Sequence, residues 1–158
     1  MPPVKPAFDP AALIPLCTSG YPEPYRSRVL PREKRKLGDA AGLTRIGVNL
    51  TTLAPGKESA MRHWHTHEDE LVYVLEGELV LRTSAGEQLL SAGMYAGFPA
   101  GVDDGHHLIN RSAQPVRYLE ISNRDPEDTA HYSDSEVDLR WNAPSSRGRF
   151  TRKDGTPY

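Results

Sequence analysis

Long apolar runs are missing from this chain of 158 residues. Nothing in it reaches the roughly 20 consecutive apolar residues that a membrane-spanning helix needs. Cysteine is nearly missing too. The single Cys17 excludes an intrachain disulfide framework and fits a reducing compartment. The opening Met-Pro-Pro-Val-Lys-Pro has no apolar stretch of the kind a secretory signal requires, so the cytoplasm is the expected location. Charge of one sign is lacking as well: a formal net charge of −2 gives no electrostatic reason for a nucleic-acid or membrane partner. The one basic run, Arg32-Glu33-Lys34-Arg35-Lys36, is interrupted by a glutamate and reads as a solvated stretch.

Helical periodicity is also scarce. Residues 1–42 are rich in proline and polar groups and predict an extended N-terminal arm, with a short helical turn around Pro10–Leu16. From Leu43 to Ser122 short β-type runs alternate with Gly, Pro and Ser punctuation. The runs are Leu43–Leu53, Ala60–His65, Glu70–Leu75, Glu78–Thr83, Gln88–Leu90, Met94–Phe98, His107–Asn110 and Val116–Ile121. Short strands at regular spacing predict an all-β sandwich or barrel over residues 43–122. Glu76-Gly77 and Ala85-Gly86 read as turns. Residues 123–158 are polar again, with scattered apolar anchors such as Tyr132, Val137, Leu139, Trp141 and Phe150. They predict a C-terminal arm draped over the barrel.

What the chain does have is concentrated histidine. Five of its six histidines fall in two clusters, His63-Trp64-His65-Thr66-His67 and His106-His107. Imidazole is the commonest metal ligand, and imidazole with carboxylate suits divalent transition metals. Histidines at i and i+2 share a side only on a strand, so His63 and His65 face inward together and Trp64 faces out. Glu70 opens the next run and shares its face with Val72 and Val74. Leu71, Tyr73 and Leu75 make the other face apolar too, which predicts a strand covered on both sides. A carboxylate at the head of such a strand needs a partner or a metal. His106 supplies a third nitrogen. Three nitrogens and one oxygen leave coordination positions open, as a reactive rather than a structural site does.

Residues 63–77 and 93–110, HWHTHEDELVYVLEG and GMYAGFPAGVDDGHHLIN, resemble the two signature motifs of the cupin superfamily. Gly56, His63, His65, Glu70 and Gly77 follow the first; Gly93, Pro99, Gly101, His106 and Asn110 follow the second. The resemblance implies a double-stranded β-helix, or jelly-roll barrel, with His63, His65, Glu70 and His106 as ligands to one divalent ion (Zn, Mn, Fe, Ni or Co). One extra residue precedes His63, and two extra residues separate Gly101 from His106. Counting from Gly101 would select Asp104; counting back from Asn110 selects His106. The second count is adopted because a loop absorbs insertions more easily than a strand. His107 is the competitor, since a one-residue slip swaps the faces.

Cupins include oxygenases, isomerases, decarboxylases, storage proteins and sensory domains, so the fold alone does not name a reaction. Three readings are carried forward. The first is a metal-dependent isomerase-type enzyme acting on a small oxygenated compound such as a sugar or sugar phosphate, with His67, Glu68 or Asp69 moving a proton at the mouth of the site. The second is a non-haem iron dioxygenase. The third is a non-catalytic module that binds metal or a small molecule. The apolar outer face of the Glu70–Leu75 run, with the long arms, implies a homodimer. His131 is expected in solvent, and Arg45, Arg62, Arg82 and Arg111 are expected to stand apart.

Overall fold

Alternation of inward apolar and outward residues organises the chain into antiparallel sheets. The computed structural model describes residues 6–141 and 149–158. Helix α1 (Tyr25–Val29) leads into strand β1 (Arg32–Lys36), then the short helix α2 (Leu37–Ala40) and β2 (Ile46–Leu53). The next strands are β3 (His63–His65), β4 (Glu70–Glu76), β5 (Glu78–Thr83), β6 (Gly86–Ser91) and β7 (Tyr95–Phe98). After them come β8 (His107–Ile109), β9 (Val116–Asn123), β10 (Ala130–Tyr132), β11 (Arg140–Trp141) and β12 (Phe150–Thr151). Every β-run read from the sequence overlaps one of these strands, although the first three residues of Leu43–Leu53 and of Ala60–His65 lie outside β2 and β3. The helical turn expected near Pro10 is a 3-10 turn over Pro10–Ala12, where Asp9 accepts a hydrogen bond from the Ala11 amide at 2.9 Å.

One sheet has the order β1-β2-β9-β4-β7 and another the order β6-β5-β8, with β10-β3 and β11-β12 as short pairs. The two larger sheets face each other across one apolar core. Leu53, Val72, Val74, Val116 and Tyr118 from the first meet Leu79, Leu81, Leu90 and Leu108 from the second. This is the jelly-roll arrangement, built from separate hydrogen-bonded ladders. Between β4 and β5 the chain turns at Gly77, whose φ is 82°. A Cβ there would also lie 2.9 Å from Val116 Cγ2, so both backbone conformation and packing require glycine.

Two expectations are corrected. The basic run is not a solvated stretch but the edge strand β1, paired with β2. Its charges are partnered: Lys34 Nζ lies 2.6 Å from Glu120 Oε2, Arg35 pairs with Glu33 at 3.1 Å, and Arg32 donates to the Ser59 carbonyl. Strand β4 is covered on its inner face only. Val72 and Val74 are buried, whereas Tyr73 and Leu75 are 38% and 39% exposed.

The described residues of the two arms share a second core. Tyr21, Tyr25 and Val29 from the N-terminal arm pack with Val137 and Leu139 from the C-terminal arm, around Met61. The Tyr25 hydroxyl accepts from the Asp138 amide at 2.8 Å, and the Tyr21 hydroxyl from the Met61 amide at 3.3 Å. Among the described residues no helix is long and apolar enough to cross a membrane. Because Leu139 is almost wholly buried between the arms, Leu139→Ala is expected to destabilise the protein by about 2–5 kcal/mol. Urea unfolding should show one transition with a lowered midpoint. An unchanged midpoint would mean that the second core contributes little to the fold.

Candidate metal centre

Strand β3 is only three residues long and is held from both sides. Strand β10 pairs along it, with Ala130 opposite His65 and Tyr132 opposite His63. On the other side His63 and His106 exchange backbone hydrogen bonds at 3.2 and 2.9 Å. Period-two geometry then puts His63 and His65 on one side. Trp64, on the opposite side, stacks on the exposed His131 at 4.5 Å. Glu70 opens β4 on the same face as buried Val72 and Val74, as its parity predicts. Its Oε2 lies 2.8 Å from His106 Nε2, 3.5 Å from His65 Nε2 and 3.9 Å from His63 Nε2. The four residues selected from the sequence are therefore brought to one place.

Each imidazole is held differently. His63 Nδ1 lies 2.7 Å from the Met61 carbonyl and His65 Nδ1 lies 2.6 Å from Asp128 Oδ2. Both partners only accept, so in the neutral rings Nδ1 carries the proton and the Nε2 lone pair is free for a cation. His106 Nδ1 is buried with no hydrogen-bond partner. Its ring is set instead by Phe98, which stacks on it at 3.5 Å and 2°. Burial pushes the His63 imidazole down to about 4, against the pull of Glu70 and with the help of His65 and His106. Burial acts upward on Glu70, but the hydrogen bond from His106 and the three neighbouring imidazoles hold it at about 2. At neutral pH His63 is neutral and Glu70 charged, the states that a divalent cation needs in its ligands. The donor set fits a transition metal.

His107, the competitor, points elsewhere. It is buried, with Nδ1 at 3.0 Å from the Ala60 carbonyl and 3.8 Å from Glu58. Counting back from Asn110 selects the inward histidine because Asn110 is locked. It is fully buried and donates to the Leu53 and Gln114 carbonyls at 2.9 and 2.8 Å. Asp104, the other count, accepts from the Ser84 amide at 2.8 Å.

A cavity of about 340 Å³ borders the cluster, lined by His65, Glu70 and His106 together with Glu68, Trp64 and Asp104. Of the three residues expected to move a proton, Glu68 lines it, whereas Asp69 does not and accepts from the Ala100 amide at 2.8 Å. Burial pushes the Glu68 carboxyl up, opposed by a hydrogen bond from the Asp125 amide and reinforced by nearby Asp128. His67 does not line it; the ring is exposed, with Nδ1 at 2.8 Å from Thr66 Oγ1. Of the four arginines, Arg62 pairs with Asp134, while Arg111 pairs with Glu87, the residue opposite Arg82 on the neighbouring strand.

Sequence reasoning missed Asp128. Besides His65, its carboxylate accepts from the His67 and Glu68 amides at 2.8 and 3.1 Å, so one side chain fixes both a candidate ligand and the loop beside it. Nothing local marks it, since an aspartate in a polar tail after Asp125-Pro126-Glu127 looks like any turn residue.

Residues 49–122 match the cupin domain family. Over 97% of this chain and 96% of the other, the sequence is 40% identical, with a TM-score of 0.90, to a Silicibacter pomeroyi protein described as a sugar phosphate isomerase from the cupin superfamily. The chain belongs to the cupin superfamily. This cupin is also 29% identical to a candidate sugar phosphate isomerase from Acidithiobacillus ferrooxidans, covering 78% and 77% of the two chains with a TM-score of 0.70. A polyketide cyclase from Streptomyces resistomycificus, 18% identical over 84% and 89% with a TM-score of 0.64, shares the fold alone. No match was found among curated proteins.

Three substitutions separate the roles. His65→Ala is expected to abolish stoichiometric metal binding, and His107→Ala to leave it nearly intact. Asp128→Asn should weaken metal affinity about 10- to 100-fold by releasing the His65 tautomer. Competition against a chromogenic chelator measures all three together with His106→Ala, and metal loss in His107→Ala with retention in His106→Ala would reverse the register.

Proposed function

We propose that this cupin binds one divalent transition-metal ion through His63, His65, Glu70 and His106 and acts as an isomerase-type enzyme. Its substrate is a small oxygenated compound such as a sugar or sugar phosphate. The observation that carries the reading is the convergence of three imidazole Nε2 atoms on Glu70 Oε2, in the wall of a cavity that also holds Glu68. The reaction class is supported by the description of the Silicibacter pomeroyi relative, whose similarity extends over both arms.

A divalent ion held by His63, His65, Glu70 and His106 would supply polarisation of a carbonyl or hydroxyl oxygen of the substrate. The protein's own part is to hold that oxygen's neighbours and move one proton. Glu68 is suited to it: burial raises its proton affinity, bringing a carboxylate nearer to the working pH of a general base. Glu68 removes the proton from the hydroxyl-bearing carbon next to the carbonyl and returns it to the former carbonyl carbon, while the hydroxyl proton passes to the former carbonyl oxygen, so carbonyl and hydroxyl exchange places with no net redox change. Phe98, Val102 and Leu81 give the cavity an apolar wall that limits water around the transferred proton. The exposed Tyr73 and Leu75 on β4 support a homodimer, which light scattering would refute by returning the mass of one chain.

Turnover of aldose or ketose phosphates is expected under argon with Zn²⁺ or Mn²⁺. Glu68→Gln should lower kcat at least about 100-fold without changing metal content. Oxygen uptake that requires iron would establish the dioxygenase instead, and ligand binding without turnover the non-catalytic module.

A further inference from the structure

Two cavities flank the histidine cluster, and they differ in charge. The smaller one, described above, is lined by Glu68, Glu70 and Asp104 and by no lysine or arginine. The second, of about 860 Å³, lies against His63 and His65 and is lined by Arg26, Lys34, Lys36 and Arg149. Asp128 is the acidic residue among its lining, and that carboxylate is taken up by His65. His65 borders both spaces.

The basic run explains half of this lining. On β1, Lys34 and Lys36 stand at i and i+2 and so share a face. Register against β2 puts Lys34 opposite fully buried Thr51, on the inner side of the sheet. Arg26 comes from α1, where its Nε donates to the Tyr21 carbonyl at 3.0 Å and leaves the guanidinium edge for another acceptor. Glu120 at 2.6 Å takes one of the three donors of Lys34, while Asp39, 3.6 Å from Lys36, is shared with Arg124. Tyr132 and Trp141 complete the wall with flat aromatic faces. The volume falls in the range of small-molecule sites.

We infer that this basic cavity receives the anionic end of the substrate, a phosphate monoester, with the sugar body directed toward His63 and His65. A phosphate dianion in the smaller cavity would face the carboxylates of Glu68 and Asp104; in the larger one it meets Arg26 of α1 with Lys34 and Lys36 of β1, which recognise phosphate by charge-assisted hydrogen bonds. The sugar body rests on the isomerase reading, whereas the anion site does not. The cationic strand thereby acquires a use: it lines a phosphate-binding wall.

The test is calorimetric titration of the full chain with inorganic phosphate, ribose 5-phosphate and ribose. The double variant Arg26→Gln/Lys36→Gln is compared with a control of equal charge change, Arg111→Gln/Arg117→Gln, at exposed residues paired elsewhere. Lys36→Gln alone is the second variant, since that side chain is 52% exposed and its loss leaves no buried group. Both phosphates are expected to bind wild type and control alike. They should bind the double variant about tenfold or more weakly and the single variant a few-fold weakly, with ribose indifferent to all. Equal phosphate affinity in wild type and double variant, as when phosphate sits on the metal, overturns the proposal. A loss of the same size in the control also overturns it, by reducing the effect to bulk charge. Phosphate binding that depends on Lys36, found with no isomerase turnover, upholds the anion site and removes the isomerase reading.

Discussion

Two backbone hydrogen bonds, between His63 and His106, are the constraint on which the candidate centre depends. A three-residue strand has too few ladder bonds to hold itself, and β3 is placed by this bridge and by β10. The bridge brings two histidine clusters that are distant in sequence to adjacent positions. It also fixes which side of β3 faces Glu70. Without it the i, i+2 spacing of His63 and His65 would be a pair of histidines on a loose edge.

Once the strands are in place, the three rings still need orienting, and each is oriented by a different kind of contact. A backbone carbonyl holds His63, a carboxylate holds His65 and an aromatic face holds His106. The carboxylate is the strongest of these as a tuning device, since a hydrogen bond to an anion raises the basicity of the opposite nitrogen. The stack on Phe98 leaves a buried nitrogen of His106 without a partner, an arrangement that costs stability. Such costs are commonly tolerated where a ring must point at a ligand rather than satisfy its own hydrogen bonds.

The jelly roll was legible because its strands obey alternation: on β4, inward Val72 and Val74 are separated by outward Tyr73, and Glu70 keeps their parity. The site was legible because motif spacing on stiff strands survives into three dimensions, as locked Asn110 shows for His106. What could not be read was set by distant partners. Strand β1 carries charge on both faces, and Glu120 and the Ser59 carbonyl from other parts of the chain, with Glu33 on the strand itself, make a run of lysines and arginines compatible with a sheet. The second core draws Tyr21, Tyr25, Val137 and Leu139 from opposite ends of the chain. Neither end shows a period, because each supplies only a few anchors. Asp128 has no signature until the fold lays it beside His65.

These invisible elements bear on how one fold hosts many reactions. The segment matching the cupin family, residues 49–122, contains all four candidate ligands. Asp128, Arg26, Lys34 and Lys36 all lie outside it. The shared jelly roll thus accounts for the donor set, while the arms account for how His65 is held and for the charge of the larger cavity. A polyketide cyclase shares the fold at 18% identity, in keeping with one fold hosting many reactions. The Silicibacter pomeroyi relative aligns over 97% of this chain, arms included. That likeness therefore reaches beyond residues 49–122, into the arms that hold His65 and set the charge of the larger cavity.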